Sequence, residues 1–201
     1  SLLLIYKQPN LSNTLCIAAL FCILMYIGGL SYKFIATALA IAIPAAIIVV
    51  SIAVMPNQPF LEKYQQKRIL AWLEPEKYAD DTAYQQQNSI MAIGSGQLKG
   101  KGLNNNTTTS VKNGKFLLEA DTDFIFAIIG EELGFVGCCI VIILLLLIVI
   151  QCILIGLRAQ NLAGQIICGG VAALIAIQSF INIGVATGVL PNTGLSLPFV
   201  S

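Results

Sequence analysis

Apolar residues run through this chain in blocks too long for the alternation of a half-buried helix or strand. Four blocks, at about residues 14–31, 35–55, 133–157 and 163–188, approach or exceed the roughly 20 apolar residues that a helix needs to cross the hydrocarbon layer. Each is predicted to be a transmembrane helix. Pro44 falls inside the second block and should kink it, because proline lacks the N–H donor; neighbouring helices can re-satisfy the freed carbonyl in a membrane. Ser1–Tyr6 reads as the tail of a preceding span. The pattern predicts an all-α, polytopic membrane protein with about four complete transmembrane helices. Residues 1–55 hold a span tail and two spans, 56–132 a long polar loop, and 133–201 two further spans followed by an outer loop.

Composition supports the same class. Hydrophobic residues make up 57% of the chain and charged residues 10%, against roughly 25% charged in a soluble domain. So few charges could not cover the outside of a water-soluble core, whereas a bilayer solvates the apolar surface directly. The formal charge of +1 lacks the basic excess that nucleic-acid binding needs. No nucleic-acid partner is expected. Absence of histidine removes imidazole catalysis and histidine-ligated metals, which leaves carboxylates and amines to do any chemistry. All six cysteines lie in apolar runs, where cysteine acts as a small hydrophobe rather than as part of a disulfide framework.

Lys33 and Arg158 mark the short loops and assign them to the cytoplasm by the positive-inside rule, with Lys7 opposing. Residues 56–124 then face outward. Long loops tend to carry function, and this one holds eight of the ten acids and eight of the eleven basic residues. Its first part, Phe60 to Leu73, mixes Phe60, Leu61, Tyr64, Ile69, Leu70, Trp72 and Leu73 with charged and amide residues, as an interfacial amphipathic helix with a headgroup-level Trp would. Pro75 should stop it.

Three groups carry candidate chemistry. The glycine-rich run Gly94–Gly102 suggests a phosphate loop, but Gly94 and Gly100 enclose five residues rather than four, and Lys101 is followed by Gly102 instead of Ser or Thr. What survives is a flexible backbone carrying Lys99 and Lys101 toward a diphosphate, with a solvated turn as the plainer alternative. Glu119, Asp121 and Asp123 alternate, so an extended backbone would point them the same way. They could hold a divalent cation, Mg or Mn, through hard oxygen ligands, or supply a base. Asp123 stands out because Phe124-Ile125-Phe126-Ala127 puts it at the water–lipid boundary. Glu131 and Glu132 open the third span, either as acids favoured by a helix N-terminus or as functional intramembrane carboxylates.

Several short runs recur here in a characteristic order. They are Lys7-Gln8-Pro9, Tyr84-Gln85, Ala92-Ile93-Gly94-Ser95-Gly96, Gly100-Lys101-Gly102, Thr122-Asp123-Phe124-Ile125-Phe126-Ala127, Glu131-Glu132-Leu133-Gly134, Asn182-Ile183-Gly184, Leu190-Pro191, Thr193-Gly194 and Leu197-Pro198-Phe199-Val200-Ser201. With these the chain resembles the RodA/FtsW/SpoVE family of shape, elongation, division and sporulation proteins along essentially its whole length. Asn10, Asn88 and Asp121 depart from the residues usual in the family.

The resemblance implies a bacterial inner-membrane, multi-pass protein of about ten spans, of which this chain is the later half. It also implies a peptidoglycan glycosyltransferase that polymerises lipid II beside a class B penicillin-binding protein, in contact with membrane lipid. The family's essential loop aspartate falls on Asp123, the expected general base. Arg68, Lys99, Lys101, Tyr84, Gln85, Ser89, Glu131 and Glu132 are the expected substrate contacts, and a divalent cation near Asp123 is an alternative source of positive charge. A lipid II flippase or transporter, and a scaffold for a penicillin-binding protein, remain competing readings.

Overall fold

A computed structural model describes residues 11–53, 63–75, 77, 82–103 and 122–201. The described residues form six helices and no strand: α1 (Leu11–Ile27), α2 (Tyr32–Ala53), α3 (Lys63–Leu73), α4 (Thr82–Gly96), α5 (Ile125–Arg158) and α6 (Leu162–Ala186). The four apolar blocks thus lie on α1, α2, α5 and α6. Pro44 sits within α2. Among these helices α5 and α6 meet the length and apolarity of a membrane span on their own. They pack against each other most extensively, with α4 on the first turns of α5 and α1 along α6.

Two features shape the molecule. The helix that carries the third span begins at Ile125, ahead of the expected Leu133, and its 34 residues are interrupted at Gly134, whose φ of 67° and ψ of −164° are non-helical. An unbroken helix of that length would run roughly 51 Å, well beyond a hydrocarbon layer of about 30 Å. The break leaves Phe135–Arg158, roughly 36 Å of helix, as the spanning part. Ile125–Leu133 is a separate short stub at its polar end. Glu131 and Glu132 therefore close the stub instead of standing at a helix N-terminus. The other end of α5 carries Arg158 in its last turn, where the exposed carbonyls favour a cation.

The second feature is the segment after α6. Gly188, with φ of 79°, ends the helix as glycines beyond a helix C-terminus do. Residues 187–201 then fold back over the stub. Leu197 and Ala186 pack with Phe126, Cys138, Leu145 and Ile175, while Phe124, Ala127, Ala92 and Val185 form a second cluster beside them. The tightly packed core thus lies at the polar end, under the turn that bears Asp123.

Candidate functional site

The Thr122–Phe124 turn leads into α5. Phe124 is fully buried and anchors the turn, while Asp123 is half-buried. Asn182 of α6 holds this turn from behind: its Nδ2 donates to the Asp123 carbonyl at 2.8 Å and to the Leu195 carbonyl at 2.7 Å. One amide thereby ties the aspartate's backbone to the returning segment. Ser201 adds a second tie, its Oγ donating to the Thr122 carbonyl at 2.8 Å.

Opposite the aspartate lies Gly194, with φ of 69°. A Cβ at this position would touch Asp123 Oδ2 at 3.5 Å and the two terminal nitrogens of Arg68 at 3.9 and 4.0 Å. The carboxylate and the guanidinium therefore converge on one point that is kept clear by the missing side chain. Arg68 reaches it from α3, and its Nη1 also donates to the Asn192 carbonyl at 3.1 Å. Between these residues lies Thr193, whose Oγ1 is buried and has no hydrogen-bond partner among the described residues.

The carbonyls at the end of α6 and just beyond it have no intrahelical donors, and buried ones must find partners elsewhere. The polar loop supplies them. Gln86 Nε2 donates to the carbonyls of Val185 and Leu190 at 2.9 and 2.7 Å, Ser89 Oγ to Ala186 at 2.8 Å, and Trp72 Nε1 to Gly188 at 3.1 Å. With Arg68 these residues suspend the return segment from α3 and α4. The indole N–H of Trp72, expected at headgroup depth, is engaged inside the protein.

The glycine-rich run packs against α5. Gly96, Gly100 and Gly134 approach backbone so closely that a Cβ on each would fall 1.8 Å from Gly130 O, 2.1 Å from Glu132 O and 2.3 Å from Gly100 N, respectively. Lys101 Nζ forms an ion pair with Glu131 Oε1 at 2.8 Å, and the Glu131 side chain is only 2% exposed. The run that the sequence reads as either a flexible backbone approaching a diphosphate or a solvated turn is docked on α5.

The structure thus brings Arg68 to Asp123 and pairs Lys101 with Glu131. Ser89 is wholly buried with its hydroxyl engaged, Tyr84 and Lys99 are exposed, and Gln85 and Glu132 are half-buried. Glu119 and Asp121 lie outside the described residues. Among the described residues no cluster of three or more His, Cys, Asp or Glu could hold a metal ion. Sequence reasoning misses the roles of Asn182, Gln86 and Gly194, although a lone Asn in an apolar helix is a usable signal, since polar side chains inside spans need partners.

An open apolar groove of about 570 Å³ runs along α5 beside the return segment, lined in part by Val141, Leu144, Leu145, Ile148, Phe199 and Val200. Leu145 belongs to the core beneath the Asp123 turn, and Val200 packs on it.

An acid and a guanidinium thus face one point at the polar end of a helical bundle, two of whose helices, α5 and α6, are long and apolar enough to cross a membrane. A family model described as "Cell cycle protein" (FTSW_RODA_SPOVE) matches residues 1–201, and the chain belongs to that family. Peptidoglycan glycosyltransferase MrdB of Escherichia coli (strain K12) is 35% identical over 201 residues, covering 99% of this chain and 51% of the relative. The probable peptidoglycan glycosyltransferase FtsW of Neisseria gonorrhoeae (strain NCCP11945) is 34% identical over 203 residues, covering 100% of this chain and 41% of the relative. The chain spans about half the length of the curated relatives it matches. A solved chain, from "Structural coordination of polymerization and crosslinking by a peptidoglycan synthase complex", superposes with a TM-score of 0.66 at 27% identity, over 97% of this chain and 50% of that one.

Proposed function

We propose that this protein is a peptidoglycan glycosyltransferase of the bacterial inner membrane, a multi-pass protein that polymerises lipid II into glycan strands at the outer face beside a class B penicillin-binding protein. The names of its curated relatives support the activity, and the solved relative's synthase complex supports the partnership. The observation that carries the reading is the convergence of Asp123 and Arg68 on the cleared point at Gly194.

Strand extension joins a sugar hydroxyl to an anomeric carbon as the bond from that carbon to the lipid diphosphate breaks. It needs a base for the hydroxyl proton and positive charge for the departing diphosphate. Asp123 takes the proton, and Arg68 faces the leaving group with a planar fork suited to phosphate oxygens. The apolar groove along α5 accommodates part of the polyprenyl tail while the sugars stay at the polar end. A Mg or Mn ion held by Asp123 with Asp121 or Glu119 is the alternative source of positive charge. Chelation separates the two, because loss of polymerisation that added Mg restores would assign the charge to the ion.

Polymerisation of purified lipid II by the full-length protein with its partner tests the reading. Asp123→Asn should lower the rate by about 10²–10⁴-fold, the usual contribution of a general base. Wild-type rates in that variant would remove the base assignment, and movement of lipid II across vesicles without polymer would put transport in its place.

A further inference from the structure

We propose that the glycine-rich segment is a clamp that sets the stub carrying Asp123, with Lys101 and Glu131 as positioning residues in that clamp rather than substrate contacts. The proposal rests on the reading of Asp123 as the base.

A break in a helix leaves carbonyls unsatisfied on one side and N–H groups on the other. At Gly134 one loop answers both. Lys101 N donates to Glu131 O at 2.9 Å and Gly102 N to Glu132 O at 3.0 Å, while Phe135 N donates to Gln97 O at 2.8 Å and Val136 N to Leu98 O at 3.3 Å. The two halves of α5 are thus joined through the loop as well as through Gly134 itself. The interlocked glycines Gly96, Gly100, Gly130 and Gly134 allow the backbones to approach this closely.

A break bridged in this way is a joint, and its angle is set by whatever holds the loop down. The Lys101–Glu131 ion pair does so at the middle of the contact, between the loop's last turn and the last turn of the stub. Asp123 lies in the turn that leads into the other end of the same stub, eight residues before Glu131, with its backbone carbonyl held by Asn182. Loosening the clamp therefore lets the stub tilt and moves the carboxylate relative to Arg68, whose position depends on α3 and Asn192. Misplacing a catalytic group by about 1 Å can lower turnover about 10²-fold. Lys101 is also a poor diphosphate ligand here, since its charge is already matched by a buried carboxylate at 2.8 Å.

The test measures initial polymerisation rates against lipid II concentration for the full-length protein with its partner. Glu131→Gln and Lys101→Met should each lower kcat at least tenfold and change KM less than twofold, and Lys101→Arg should recover most of what Lys101→Met loses. A rise in KM with kcat unchanged would make the pair a substrate contact and overturn the proposal. So would wild-type kcat in both neutral variants.

Because removing one partner of a buried pair can prevent folding, a cross-linked variant tests the clamp by a separate route. Residues 101 and 131 are joined both by the Lys101 N to Glu131 O hydrogen bond at 2.9 Å and by their side-chain ion pair, so these two positions are the ones to cross-link. In Lys101→Cys/Glu131→Cys, oxidation should raise kcat at least fivefold over the reduced form, and equal rates in the two forms would overturn the clamp. Asp123→Asn assayed in parallel keeps the two claims apart. If it polymerises normally the base reading fails, whereas if it is inactive while the pair variants turn over normally, only the clamp fails.

Discussion

The two parts of α5 share one helix in the chain and live in different surroundings. In the stub, Phe126, Ala127, Ile128, Gly130 and Glu131 are all buried by protein. In the spanning part, Phe135, Val136, Ile140, Ile143, Leu144 and Leu146 each expose more than half of their surface. The stub contains two acids and a glycine packed on backbone; the span beyond it has no charge until Arg158. The contrast shows where a membrane helix tolerates a break. In hydrocarbon every backbone polar group must be satisfied from within, so the interruption falls where another loop can reach it.

Substitutions that exploit this contrast should differ in size. The largest effect is expected at Gly100, where alanine would force a Cβ to 2.1 Å from Glu132 O at a φ of 76°. The loop must undock, and detergent unfolding should show a loss of more than about 4 kcal/mol, beyond the range of ordinary substitutions. Phe126→Ala comes next, because this side chain is 3% exposed within the main core; a loss of about 3 kcal/mol in the same assay is the usual cost of such a cavity.

Asn182→Leu removes the donor shared by the carbonyls of Asp123 and Leu195. It should cost about 2 kcal/mol of stability, in the range for buried groups left without partners, and lower polymerisation further than its stability loss explains. Ile143→Ala, on a residue 54% exposed in the span, should stay within about 0.5 kcal/mol of wild type, as surface changes usually do. A loss comparable to that of Phe126→Ala would mean that this face of α5 is packed against protein instead of lipid.

The sequence shows the apolar helices well because their signal is local. Each of the four blocks lies on a helix, and the limits of α6 fall within about two residues of those expected. The start of α5 is harder to read because Phe124–Gly130 is as apolar as a span, yet it is buried by protein. Nothing near Gly134 marks the break, since the groups that satisfy it come from Gln97–Gly102, some thirty residues earlier in the chain. The same separation makes the glycine run read as flexible: glycine serves both mobile turns and close backbone contacts, and only the neighbour decides which. Asp123 is legible from its place before an apolar run and from the family likeness. Arg68 is legible only as one basic residue among several.

What the chain determined by itself is therefore its solvent and its helices, because burial in a bilayer follows from runs of side chains that need no partner to be recognised. The family likeness also lies in the linear order of its motifs. Tertiary structure decided which cation faces Asp123, which amide holds the aspartate's carbonyl, and which lysine is paired with a buried acid. These depend on residues brought together from three distant helices and two loops. Charge and hydrogen bonding act over a few ångströms in space, and linear sequence does not record such distances.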